Sequence, residues 1–460
     1  MTHRIEPVVR SASPDIIWPA LPSPAATQLL AQLYQLEQSQ WWPEAVLRAC
    51  QLRQLLPLVR HAQANSEFYR QRFADSGLER SESLSWPAFL RLPVLTRHEL
   101  LTQGEAIHAR SVPPQHGATQ LVQTSGSTGQ VVAVRRTGLA QLMLFALGMR
   151  AHAWFERDFS LPLAVVRADS PVMDDDARAR ELGWGQPVTL LFSTGPAYSQ
   201  PLSLSVSAQA AWLERRNPGY LLTYPTNLNA LLGHFAERKQ RLPGLREVRS
   251  LGETLSPHLR ARCQEVLGVR VVDGYSSQEV GVIALECPVS GLYHLQSESL
   301  LVELLDAAGQ PCAEGTVGRV VVTDLHNFAT PLLRYDLGDR AEVGPPCPCG
   351  RGLPTLRRIV GRERNMVCMP NGERHWPLVG LHEYRAVGGI LQYQLVQLSR
   401  ERIEIRLVAE GGALSPDQEQ HLSGIVQRAL GHAFALDFRY FEGEIPRAPS
   451  GKYDEFVCLV

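Results

Sequence analysis

Lysine is nearly missing from this chain. Of its 45 basic residues only Lys239 and Lys452 are lysine, which leaves 45 − 2 = 43 arginines. A site that needs a compact ammonium, not a wide planar guanidinium, therefore has two candidates. An excess of charge is absent too: the formal net charge is −1 and the sequence pI is near 6.9. No basic stripe points to nucleic acid and no acidic tail points to a solvated arm. No run reaches the ~18 apolar residues of a membrane span. The first thirty residues lack a cationic start followed by an apolar stretch and a cleavage site. The expectation is a cytoplasmic protein with no nucleic-acid or membrane partner. Without an export signal, eight cysteines in 460 residues read as free thiols or metal ligands and not as a disulfide framework.

What is present suits a soluble chain with room for two domains, at 44% hydrophobic and 20% charged residues. Apolar positions recur at helical spacing through 41–78, as in EAVLRACQLRQLLPLVRHA, and Thr96 with Glu99 forms a capping box. From about 117 the short apolar runs LAVV, TLLF, YLLTY and VRVVDGY alternate with the helical stretches SAQAAWLERR and NLNALLGHFAERK, a pattern of βαβ units around a largely parallel sheet. Between 300 and 360 strands follow one another through Gly, Pro and Asp turns. After GRERN (361–365) a short helix is expected near 377–386, then strands in LQYQLVQLS and RIEIRLVAE, a helix near 415–430, and FALDFRYF. The chain reads as α/β: residues 1–361 form a large domain with mixed sheets and a β-rich subdomain, and 362–460 a small α+β domain.

The stretch LVQTSGSTGQ (121–130) gathers Thr124, Ser125, Gly126, Ser127, Thr128 and Gly129. Glycine lets backbone N–H groups converge, and hydroxyls add donors without bulk, so such a loop can wrap phosphate oxygens; a plain flexible hairpin is the alternative. With DGYSSQE (273–279), RYDLGD (334–339) and PRAPSGK (446–452) in this order, the chain resembles the adenylate-forming superfamily, whose members activate carboxylates with ATP. SEFYRQRF, LPVLTRHEL, SLGETLSP, PLLRY and CPCGRGLPTLRRIVGRERNM are similar to its phenylacetate-CoA ligase branch, over roughly residue 45 to the end. The resemblance implies a large adenylate-forming domain and a small mobile C-terminal lid. It assigns the phosphate loop to 124–129, an aromatic against adenine to Tyr275, magnesium to Glu279, both ribose hydroxyls to Asp339 and the catalytic lysine to Lys452. Further nucleotide contacts would come from Gly252, Glu253, Asp273, Ser277 and Arg362, the hinge from Arg364 within 362–365, and the acyl pocket from Tyr224.

Such enzymes form an acyl-adenylate and then a thioester, with CoA or a carrier-protein phosphopantetheine as acceptor. An aryl acid is the substrate class this branch implies, and a stand-alone acyl carrier protein is one candidate partner. Three departures stand out. The Pro and Lys that follow the family's loop are Val131 and Val132, leaving Arg135 or Arg136 as substitutes; Gln278 interrupts the tyrosine-to-glutamate segment; Arg364 stands at the hinge. They keep two other readings open, transfer to a non-thiol acceptor and a non-catalytic nucleotide-binding relative. Finally, Cys287 and His294 in CPVSGLYH, with Cys347 and Cys349 in CPCG, offer four ligands from two loops, a set suited to a tetrahedral structural zinc. Buried reduced thiols beside a hydrogen-bonded histidine are the alternative. The other five cysteines, at 50, 263, 312, 368 and 458, read as packing residues.

Overall fold

In the computed structural model, which describes residues 8–76, 84–123, 132–168, 170–362, 366–375, 384, 387–447 and 453–460, the chain opens with helices, as its apolar spacing predicts. These are α1 (Pro24–Ser39), α2 (Glu44–Asn65), α3 (Glu67–Ser76), α4 (Trp86–Leu90) and α5 (Arg97–Ile107). The capping box read from the sequence starts α5: Glu99 N–H donates to the Thr96 hydroxyl and the Glu99 carboxylate accepts from Thr96 N–H. A hairpin of β1 (Thr119–Gln123) and β2 (Ala133–Thr137) follows, then α6 (Gly138–Trp154).

The expected parallel sheet is present. It holds β3 (Leu163–Arg167), β4 (Ala197–Pro201), β5 (Tyr220–Thr223), β6 (Glu247–Ser250) and β7 (Arg270–Val272), in the order β4-β3-β5-β6-β7 with every pair parallel. Helices α7 (Asp176–Leu182), α8 (Val188–Leu191), α9 (Val206–Arg216), α10 (Pro225–Arg238) and α11 (Pro257–Leu267) accompany it. Because successive strand residues point to opposite faces, Ala164 and Leu221 pack in one core with Trp212, Leu228 and Phe235, while Leu163 and Tyr220 pack in another with Leu29, Leu147 and Leu191. Both faces are covered, as parallel sheets require. One expectation fails: TLLF is not a strand but supplies α8 and the residue after it. Pro187 at the N-cap favours a turn start, and a single turn suffices to bury Val188 and Leu191.

The β-rich stretch becomes a seven-stranded sheet of β8 (Gly274–Ser277), β9 (Gly281–Glu286), β10 (Tyr293–Leu295), β11 (Leu300–Leu305), β12 (Val317–Asp324), β13 (Tyr335–Val343) and β14 (Thr355–Arg362), ordered β11-β12-β13-β14-β10-β9-β8. The N-terminal helices cover it, with Leu58, Tyr69, Phe73, Phe89 and Leu100 in one core with Val320, Val322, Leu333 and Tyr335.

The chain divides into two compact units, Met1–Leu337 with Ala341–Val360, and Gly338–Arg340 with Gly361–Val460. The second is α+β. It has β15 (Val367–Cys368) paired with β16 (Arg374–His375), and a sheet of β17 (Ile390–Gln397), β18 (Arg402–Ala409), β19 (Ala435–Tyr440) and β20 (Phe456–Cys458) in the order β19-β18-β17-β20. The helix Pro416–Leu430, capped by Ser415 and Gln418, buries Leu422, Ile425 and Val426 against Leu395, Ile405 and Phe456. The helix expected near 377–386 lies outside the described residues apart from Tyr384, which is helical and buried.

Candidate nucleotide and metal sites

Hairpin β1–β2 pairs Gln123 with Ala133, and the hydroxyl-rich run falls between these two residues in the sequence. That run, Thr124 to Gly129, lies outside the described residues, as do Arg364, Lys452 and the side chain of Arg362. The base of the hairpin is held by Arg135 N–H donating to Thr330 Oγ1 at 2.9 Å and by Asn327 Nδ2 donating to the Arg135 carbonyl at 3.0 Å. Val132 is 1% exposed and belongs to the core, so the position where the family carries lysine does packing work here. The two substitute arginines diverge. Arg135 pairs with exposed Glu105 at 3.0 Å, whereas Arg136 is buried and donates to the Gln278 carbonyl at 2.7 Å. Only Arg136 serves the 273–279 segment.

In that segment Tyr275 packs in the same core as Val132 and Ile283. The Ser277 hydroxyl accepts from Val280 N–H at 3.3 Å and thereby closes the turn that presents Glu279. Glu279 is buried and meets Arg97 Nη1 at 3.1 Å. Asp273 is consumed locally, its carboxylate accepting from Ser250 Oγ at 2.5 Å and Tyr293 Oη at 2.9 Å; burial raises its pKa. Gly252, at φ +74°, adopts a backbone conformation that a side chain would strain. The turn it permits sends Glu253 back to the start of α10, where its carboxylate accepts from Thr226 N–H (2.9 Å) and Thr226 Oγ1 (3.0 Å). Buried Tyr224 is the N-cap of that helix, so the structure brings Tyr224 and Glu253 to one corner. Asp339 lies buried on β13, within the stretch that groups with the second unit.

Sequence reading missed Arg97, whose partner lies 182 residues away. A signal existed. A cation at the first position of a helix opposes the macrodipole, so an arginine directly after an N-cap threonine calls for a compensating anion.

The four metal-ligand candidates converge: the ligand atoms of Cys287, His294, Cys347 and Cys349 all lie within 4.8 Å of one another. The β9–β10 turn provides Cys287, β10 provides His294, and the β13–β14 loop provides both remaining thiols. Gly291, at φ +74°, allows the tight return in which Cys287 N–H donates to the Leu292 carbonyl at 2.7 Å. Cys347 and Cys287 sulfurs are 3.7 Å apart, and Cys349 Sγ is 3.3 Å from His294 Nε2. A tetrahedral zinc with Zn–S bonds of ~2.3 Å and Zn–N bonds of ~2.0 Å separates its ligands by ~3.5–3.8 Å, so the set fits. Disulfide sulfurs would lie at ~2.05 Å, and all eight cysteines are free. His294 Nδ1 faces the Leu353 carbonyl at 3.2 Å and must donate, which leaves the Nε2 lone pair toward the thiols. Burial foremost, with Arg351 and Arg150 nearby, pushes the His294 pKa down to about 4, so the ring is neutral and ligand-ready. At Cys287 burial is outweighed by hydrogen bonds from Ser290 and Val289, and the thiol pKa is lowered. Burial raises that of Cys347 to about 11.

No protein-family model matches this chain. A phenylacetate-coenzyme A ligase of Thermus thermophilus is 33% identical over 114 residues, a match that covers 24% of this chain and spans only about a quarter, 26%, of that enzyme's length. Among solved structures, a 2-hydroxyisobutyryl-CoA ligase bound to an acyl-AMP aligns with a TM-score of 0.71 at 19% identity, over 92% of this chain and 91% of its own. A benzoate CoA ligase from Burkholderia xenovorans aligns at 0.51 and 16% identity, over 75% of this chain and 68% of its own. An amide bond synthetase from Marinactinospora thermotolerans aligns at 0.51 and 19% identity, over 73% and 67%.

Proposed function

We propose that this chain, whose fold is that of the adenylate-forming superfamily, is an ATP-dependent acid–thiol ligase that joins a small carboxylic acid, an aryl acid by preference, to AMP and then to a thiol. The observation that carries the reading is Glu279: a buried carboxylate, presented by a closed turn behind Tyr275, with Arg97 and Arg136 around it. A buried carboxylate needs a facing cation; Arg97 supplies it in the nucleotide-free protein, and a metal ion would supply it beside bound phosphates. When bound, magnesium on Glu279 would supply positive charge to the phosphates as pyrophosphate departs.

The protein's own groups carry the remaining roles. Loop residues 124–129 donate hydrogen bonds to phosphate, Tyr275 packs on adenine, Asp339 accepts from the ribose hydroxyls, and Glu253 fixes the corner beside Tyr224 where the acyl group enters. Asp273 and Ser277 act on the nucleotide by shaping the segment that holds Tyr275 and Glu279, and Gly252 and Arg362 line the nucleotide side. Lys452 places its ammonium between the attacking carboxylate and the α-phosphate. Support for Lys452 over the other lysine comes from Lys239, which has a plain structural post as the exposed C-cap of α10, where a cation suits the helix dipole. Rotation at Arg362–Asn365, with Arg364 in place of the family's usual residue, withdraws the lysine and admits a thiol. The Cys287, His294, Cys347 and Cys349 set holds a structural zinc. All four positions are filled by protein, so it staples loops and does no chemistry.

CoA and a carrier-protein phosphopantetheine are both suited acceptors. The likeness to an amide bond synthetase favours one second reading, in which an amine takes the acyl group. Incubation with ATP, magnesium and a panel of benzoate-type, fatty and hydroxy acids, with CoA, a holo carrier protein or an amine, separates the readings by product mass. We expect an aryl thioester and AMP. Formation of amide alone assigns the second reading, and absence of AMP with every acid removes the ligase assignment.

A further inference from the structure

Arg97 is fixed more firmly than a surface cation needs to be. Its turn is closed by the Thr96–Glu99 capping box. Arg72 grips that box, binding Glu99 at 2.8 Å and the carbonyls of Pro93 and Val94 at 2.9 and 2.8 Å. The preceding residue but one is stitched to β13: Leu95 N–H donates to the Arg334 carbonyl at 2.8 Å, and Asp336 N–H donates to the Leu95 carbonyl at 2.9 Å. Arg334 is itself pinned, at φ +50°, by Glu303 at 2.8 Å and by the Leu92 carbonyl. From this frame the guanidinium reaches Glu279, whose side chain is 7% exposed against 31% for Arg97. Among the described residues of the hairpin, Arg136 is also drawn to this carboxylate, but it is tied to the Gln278 carbonyl and has Asp324 as a second anion.

A guanidinium 3.1 Å from Glu279 Oε1 offsets the negative charge that would attract a metal ion to this carboxylate. We infer that Arg97 is a positioning latch on Glu279, holding the carboxylate neutralised so that a free divalent ion binds the nucleotide-free protein poorly and enters only together with ATP. With ATP bound, the exchange would be favoured, because Glu279 could then hold a metal ion while the anionic phosphate oxygens offered Arg97 another partner. This rests on the assignment of Glu279 as the metal-bearing residue.

The test needs no turnover. Mn2+ is titrated into zinc-loaded, nucleotide-free protein, and the free ion is followed by electron paramagnetic resonance. Arg97→Ala and Arg97→Gln should bind Mn2+ about tenfold or more tightly than the parent, the order of one charge-assisted pair. Arg97→Lys should stay near the parent, and Glu279→Gln in the Arg97→Ala background should lose the gain. Unchanged or weaker Mn2+ binding in both Arg97→Ala and Arg97→Gln, with the parent's circular dichroism and melting temperature kept, overturns the latch. ATP binding by the parent protein is measured separately. Its absence would remove the ligase reading, whereas the Mn2+ arm alone decides the latch.

Discussion

Histidines screened from water make this protein sensitive to acid. Burial foremost pushes His326 down to about 4 and buried His152 well below its ordinary value. A histidine with a depressed folded pKa leaves stability intact above ~6.5, the unfolded value, and removes it as pH falls from there toward ~4, because the unfolded chain takes up the proton first. Stability should therefore drop between pH 7 and pH 5. His326→Gln should narrow that drop by ~1–2 kcal/mol, since each proton contributes ~1.4 kcal/mol per pH unit. Urea unfolding at the two pH values measures it, and an unaltered gap between them would refute the assignment. At this scale the sequence reveals residues whose chemistry depends on local spacing. The CPCG pair and the hydroxyl-rich run announce themselves, as does one of only two lysines among arginines. It does not reveal Arg97, whose meaning arises only when α5 meets a turn 182 residues downstream, nor the local engagement of Asp273 by Ser250 and Tyr293.

Elements owe their order here to two kinds of staple. A short-range one, the Thr96–Glu99 box, is readable from four consecutive residues because both partners belong to the same turn. The long-range one is the proposed zinc, which would join the β9–β10 turn to the β13–β14 loop through four ligand atoms that lie within 4.8 Å of one another. Metal analysis of the purified protein should find about one zinc per chain. Cys349→Ser should lose most of it and lower the melting temperature by at least ~2 °C, given a loss on the order of 1 kcal/mol in a domain of this size. Zinc-free parent protein with an unchanged melting temperature would contradict a structural metal. The parallel sheet was legible because apolar runs alternate with amphipathic stretches, yet TLLF misled. An apolar run of four carries no period, and its burial with α1 on the far face of the sheet decided for helix. Strand order in the seven-stranded sheet was not legible, since β14 sits between β13 and β10 by a pairing no local pattern encodes.

For the molecule as a whole, the sequence reading and the structure agree on an α/β chain with a smaller α+β part at its C-terminal end. They differ in that Gly338–Arg340 group with the second unit, which places Asp339 on a strand whose ends belong to the first. Composition bears on the entire account, because in a chain with two lysines and 43 arginines (45 − 2) the role proposed for Lys452 calls for an ammonium where a guanidinium is too wide. Carboxylate-dependent exchange of labelled pyrophosphate into ATP reads the first half-reaction without any acceptor. With a benzoate-type acid the parent protein should exchange, and Lys452→Ala should fall by at least ~10²-fold, the scale of losing one preorganised charge from a phosphoryl transition state, while its ATP affinity stays within a few-fold of the parent. Exchange that persists undiminished in Lys452→Ala would contradict the account.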